Sequence, residues 1–158
     1  MSDGVLQELV AELLIAVQGL SGHPGPAPPP PTVVLVPHAE IERAACTGPC
    51  DIYGWFPPGT AIYLDDRLDP AGNVWARGVL VHELVHYLQQ ESGAYGGRVD
   101  CAAWLRREQE AYWVQLRWLR DQPATGRPMP GLGPLPRHLS CDIGDAAADR
   151  RPGRELSY

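Results

Sequence analysis

Residues 69–93, DPAGNVWARGVLVHELVHYLQQESG, decide the reading of this chain. Asp is a favoured N-cap and Pro suits the first helical position, so Asp69-Pro70 predicts a helix start and Gly93 its end. Val79, Val81, Val85 and Leu88 flank His82, Glu83 and His86, which predicts a buried helix. Two His four residues apart lie about 40° apart around a helix axis and share one face. Both can reach one metal ion, and neutral imidazole suits Zn2+. A Glu directly after the first His can reach a water on that metal. The competing reading is a buried helix whose His side chains are satisfied by hydrogen bonds alone. Gly78, one turn before His82, leaves room for close approach of backbone or ligand.

The residues upstream predict a small sheet. Residues 32–37 (TVVLVP) read as a short buried strand, and 39–45 as a helical turn. Residues 51–56 and 60–65 read as two strands joined through Pro57-Pro58-Gly59. Together with the helices this is an α+β domain with a small antiparallel sheet, spanning residues 32–122. Residues 1–20 form an amphipathic helix with a stripe of Leu6, Leu9, Val10, Leu13, Leu14, Val17 and Leu20. Its polar face carries Gln7, Glu8 and Glu12 and no basic residue, so it reads as a core-packing helix rather than one lying on a membrane. Residues 21–31 are a polyproline-type connector, and a stiff linker is the better reading of it than an SH3-type ligand. Residues 123–158 are Pro/Gly-rich and irregular, ending in a charged tail.

The helix after HELVH offers a third ligand. Asp100 predicts its N-cap, and it ends near Gln122, before Pro123. With Glu108 at the zero of angle, Cys101 and Leu119 fall at about 20°, Trp104 at about −40°, Leu105 at about 60°, Ala111 at about −60° and Tyr112 at about 40°. Glu108 is thus centred on an apolar stripe, where a carboxylate needs an Arg partner or a metal. Small Ala111 lets this helix approach the HELVH helix closely. Glu110 shares the opposite face with Arg106, Arg117 and Arg120 and reads as solvated. Asp100 is the alternative third ligand.

His82, Glu83, His86 and the EQEA run at Glu108–Ala111 resemble the gluzincins, zinc metallopeptidases in which HExxH is followed by a Glu on a later helix. The stretch from about Val33 to Leu119, with YLDDRLDP before the motif, also resembles small bacterial HExxH proteins. The resemblance implies a zincin-like domain, Zn2+ held by His82, His86 and Glu108, Glu83 as catalytic base, and a peptide or protein substrate. The metzincin alternative is excluded, since it needs Gly at position 89 and His at position 92, where this chain has Gln89 and Ser92. The gluzincin pattern places an orienting Asp four residues after its ligand Glu; here that residue is Tyr112. Tyr112, Tyr95 and His138 are the candidates for orienting a ligand or stabilising an oxyanion.

Composition bounds the rest. A net charge of −6 argues against a nucleic-acid partner. All 13 basic residues are Arg, and Gly and Pro number 17 each. No run is apolar enough to predict a membrane span, and the N-terminus lacks the basic start of an export signal, so the chain as written is expected in the cytoplasm. Removal of a leader would make it secreted or periplasmic. Cys46, Cys50, Cys101 and Cys141 are compatible with two disulfides, with buried thiols or with a second metal site, and a Cys101–Cys141 bridge would fold the C-terminal segment back over the site. Two other functions fit the same residues: a zinc-binding module without turnover, and a hydrolase of small amides.

Overall fold

A computed structural model describes residues 3–23, 28–96 and 100–123. Among these residues the chain forms helix α1 (Asp3–Ser21), strand β1 (Val33–Val36), helix α2 (His38–Ala45), strands β2 (Gly54–Trp55) and β3 (Ile62–Asp65), and helices α3 (Val74–Glu91) and α4 (Cys101–Arg120). This is an α+β arrangement of four helices and a three-stranded sheet. His138, Cys141 and the rest of the C-terminal segment lie outside the described residues.

The sheet order is β1-β3-β2. β2 and β3 form the expected hairpin, with Gly54 opposite Leu64 and Trp55 opposite Tyr63. The Pro57–Thr60 turn closes through Thr60 N–H to the Pro57 carbonyl at 3.2 Å, and Gly59 takes φ +80°, which favours glycine. The sheet as a whole is mixed, not antiparallel, because β1 runs parallel to β3, with Val33 opposite Ile62 and Val36 opposite Asp65. The reason is α2. It carries the chain from the end of β1 past the place of β3 to the far edge, and β3 then returns into the middle. β3 is therefore the central strand, and β2 is the edge nearest the HELVH motif.

Alternation along β3 sends its residues to two cores. Ile62 and Leu64 join the main core with α1, α3 and α4, whereas Tyr63 packs with Val36, Ile41 and Ala45 beneath α2. Within α3, Leu80, Val81, Leu84 and Val85 are each 0% exposed, and each contributes about 2 kcal/mol relative to remaining in water. α1 is long and apolar enough to cross a membrane by length and composition, yet Leu6, Val10, Leu13, Leu14 and Val17 are buried in the same core as α3.

α3 begins four residues later than Asp69-Pro70 implied. Asn73, not Asp69, is the N-cap, its side chain accepting from Trp75 N at 2.9 Å and Ala76 N at 3.4 Å. Residues 69–72 form a turn instead, in which Asp69 Oδ1 accepts from Gly72 N at 3.2 Å. Arg77 reaches back from the first turn of α3 to the carbonyls of Pro70 and Ala71. α4 starts as expected, with Asp100 accepting from Ala103 N at 2.8 Å, and ends at Arg120. Ala111 is fully buried between the helices. The space over Gly78 is taken by Leu119 of α4, 3.2 Å from where a Cβ would stand, so that glycine serves helix packing rather than a ligand.

Candidate metal centre

HELVH lies in the middle of α3, where the core sets its rotation. His82 and Glu83 are 9% and 6% exposed. α4 brings Glu108 across from the facing helix. The two His Nε2 atoms stand 3.1 Å apart. Glu108 Oε2 is 3.4 Å from His82 Nε2, and Oε1 is 3.4 Å from His86 Nε2. His82, His86 and Glu108 thus form a group that could hold a metal ion. The spacing fits one: four ligands at about 2.0–2.1 Å in a tetrahedron stand about 3.3 Å from one another.

Hydrogen bonds on the far sides of the imidazoles support the fit. His82 Nδ1 lies 3.2 Å from Gln115 Oε1, and His86 Nδ1 lies 2.9 Å from Gln89 Oε1. An amide oxygen only accepts, so each ring donates from Nδ1 and turns an Nε2 lone pair inward. Two lone pairs and a carboxylate then face each other with no proton between them. Such a group calls for a cation. Without a metal, a proton on His86 meets that need: burial disfavours the charge, but Glu108 outweighs it and raises the pKa from 6.5 to about 9. Burial pushes Glu108 up, but His86 and His82 hold its carboxyl far below the usual range. No Arg pairs with Glu108 among the described residues. Asp100, committed to the start of α4, is not part of the group.

Comparison with protein families, curated proteins and solved structures finds no match to this chain. The chemistry of the site therefore rests on its own residues.

Glu83 is the group's neighbour rather than a member. Its carboxyl is raised by burial and by Glu108, against the lowering pull of His82 and His86. It is seated against β2: a Cβ on Gly54 would come within 2.8 Å of both Glu83 Cγ and Oε1. Only glycine at that position leaves the carboxylate where it is. This contact between Gly54 and Glu83 has no local signature in the sequence.

The other expected residues divide. Tyr112 does not replace the orienting Asp by a hydrogen bond; its ring packs edge-on against His82, with centroids 4.5 Å apart. Its phenol is pushed up to about 12 by burial and by Glu108 and Glu83, so it stays protonated. The orienting role toward His82 falls to Gln115, seven residues after Glu108 and at nearly the same helical angle. Tyr95 donates to Glu110 Oε2 at 2.8 Å. Glu110 is not a solvated residue, since it also accepts from Gln89 Nε2 at 2.9 Å. The apolar face of α4 explains both corrections. Ala103, Ala111, Val114, Gln115 and Trp118 are its buried residues, so its centre lies about 80° from Glu108 on the side of Trp118. Glu108 stands at the margin of that face, its side chain 19% exposed, and Glu110 at the other margin. Leu105 and Tyr112 had drawn the expected stripe the wrong way, and further round on that side Trp113 and Leu116 are exposed.

Cys46 and Cys50 are joined by a disulfide, which removes them from any second metal site. Cys101 is also disulfide-bonded. Its expected partner, Cys141, lies outside the described residues, as does the oxyanion candidate His138.

Proposed function

We propose that this chain is a zinc-dependent metallopeptidase of gluzincin type, with a zincin-like core. The observation that carries the reading is the convergence of His82, His86 and Glu108 with the Glu83 carboxylate beside them. His82, His86 and Glu108 would hold the ion and leave one position open. Zinc bound there supplies Lewis acidity, lowering the pKa of water to near neutrality and polarising a carbonyl. Glu83 takes the water's proton and passes it to the leaving amine. Gln115 and Gln89 keep both imidazoles in the tautomer that ligates through Nε2.

The substrate class we favour is an extended peptide. β2 is an edge strand next to Glu83, and among the described residues nothing pairs with its outer edge. β3 is central and already paired on both sides, so it has no edge to offer a peptide. The Cys46–Cys50 disulfide supports a secreted or periplasmic setting over a cytoplasmic one. Hydrolysis of a peptide library by zinc-loaded wild type and Glu83→Gln tests the activity. We expect cleavage by the first and none by the second, with zinc retained in both. Equal cleavage would sink the role of Glu83, and zinc binding with no cleavage by either would leave a zinc-binding module without turnover.

A further inference from the structure

His86 is held by a longer chain of side chains than His82. A glutamine amide can present oxygen or nitrogen to a neighbour, and for Gln89 the surroundings decide which. One end of its amide lies 3.0 Å from the Arg107 carbonyl oxygen and 2.9 Å from Glu110 Oε2. Both of those atoms only accept, so the NH2 group must point at them. Oε1 is left for His86 Nδ1, 2.9 Å away, and an oxygen forces that nitrogen to donate. The His86 Nε2 lone pair is thereby committed to the side of His82 and Glu108. Gln89 is 4% exposed, so little water competes for the amide.

Glu110 is anchored in turn. Tyr95 donates to its Oε2 at 2.8 Å, and His23 Nε2 lies 2.9 Å from its Oε1. The Tyr95 phenol is pushed up to about 12 by burial and by Glu110, so it remains a donor. His23 also lies 3.2 Å from Ser92 Oγ at the end of α3. The carboxylate of Glu110 therefore joins α4, the end of α3, the turn after it and the start of the Pro-rich connector.

We infer that Gln89 and Glu110 form a positioning relay that fixes the His86 tautomer and, through it, the affinity of the site for metal. The inference rests on the reading of His82, His86 and Glu108 as a metal site, and not on peptide hydrolysis. Neither relay residue touches the ion. Their work is to hold His86 ready, so that binding need not first break a wrong hydrogen bond. Losing such a partner typically costs 10–100-fold in metal affinity.

The test is a polarity swap in the full-length chain. Gln89→Glu keeps an acceptor toward His86 but sets a second carboxylate against Glu110 and the Arg107 carbonyl. Adding Glu110→Gln supplies a donor again. The readout is the zinc dissociation constant by chelator competition, with circular dichroism to establish folding and the visible spectrum of bound Co2+ to report ligand geometry. We expect Gln89→Leu and Gln89→Glu each to weaken zinc by about 10–100-fold, and Gln89→Glu with Glu110→Gln to recover most of that loss and the wild-type Co2+ spectrum. Wild-type affinity in folded Gln89→Leu, or a double variant no better than the single one, would overturn the relay. A measurement on zinc-loaded wild type needs no variant to fold. Long-range proton–nitrogen NMR should find His86 protonated at Nδ1 and ligating through Nε2, and ligation through Nδ1 overturns the inference. Wild type that takes up no zinc overturns the metal reading itself, a failure visible before any relay variant is made.

Discussion

Two imidazole–carboxylate clusters lie on opposite faces of the sheet, and they settle their charges in different ways. Beneath α2, Asp65 is fully buried and accepts from His38 Nδ1 at 2.9 Å, from Arg67 N at 3.0 Å and from Arg67 Nε at 2.8 Å, with Arg67 Nη2 completing the pair. Burial pushes its carboxyl up, but Arg67 and His38 hold it below the ordinary range. Beside α3, Glu108 faces two imidazoles that have already spent their N–H groups on Gln115 and Gln89. The first cluster contains a fixed cation, Arg67, whereas the second has only the proton that His86 holds when no metal is bound. A histidine next to a buried carboxylate is therefore no metal site by itself; the uncompensated charge is what makes one.

The largest expected effect separates catalysis from binding within the second cluster. Glu83→Gln should lower peptide hydrolysis by about 10²–10⁴-fold, the usual range for a general base, with zinc content unchanged by elemental analysis. Gly54→Ala comes next. Its new Cβ would meet Glu83 at 2.8 Å, and moving the carboxylate by up to about 1 Å to relieve that contact costs up to about 100-fold in rate, while zinc affinity, which does not depend on Glu83, holds. Comparable loss of zinc would mean that β2 supports the ligands as well as the base.

Asp65→Asn breaks the other cluster. It should destabilise the fold by about 2 kcal/mol, as expected for loss of charged hydrogen bonds, measured by urea unfolding of the metal-free protein. Zinc affinity should not move. A shift in affinity would show that the two faces of the sheet are coupled and that the contrast between them is too sharp.

Acidity distinguishes the clusters in sign. In the metal-free protein the folded pKa of His86, about 9, lies above its ordinary 6.5. Its contribution to stability is complete below about 6.5 and is lost as pH rises through 9. Asp65, held below its ordinary value, contributes stability above that value and loses it as the solution becomes acidic. Since binding must displace one proton from His86, apparent zinc affinity should rise by about tenfold per pH unit up to about pH 9. A flat profile between pH 7 and 9 would show that His86 carries no proton there.

The smallest effect concerns Gly78. Alanine there gains about 1 kcal/mol of helix propensity against pressure on the flexible tip of Leu119, so stability should change by less than that and zinc affinity not at all. Lost zinc would mean that Gly78 makes room for the metal site after all.

What the sequence disclosed follows from how local each feature is. His82 and His86 were legible because helical spacing alone places them on one face, and Glu83 because it directly follows the first of them. Asp100 was legible because an N-cap is a matter of three residues. Asn73 was hidden behind Asp69-Pro70, an equally good start signal four residues earlier. Glu108 was found, although the apolar face it was assigned to centre is turned by about 80°. The parallel pairing of β1 with β3, the seat of Glu83 on Gly54, and the contacts of Gln115, Gln89 and Glu110 all depend on elements distant in the chain. Polar residues such as Gln89 and Gln115 carry no mark of burial until the neighbouring helix is in place.

His82, His86 and Glu108 are held to take up a metal ion in place of the proton that His86 carries without it. The direct test is titration of metal-free protein with Zn2+ at neutral pH by isothermal calorimetry, on wild type, Glu108→Ala and Asp65→Asn. One zinc per chain in wild type and in Asp65→Asn, with binding lost or severely weakened in Glu108→Ala, is the predicted result. No stoichiometric zinc in wild type, or undiminished binding in Glu108→Ala, would contradict it.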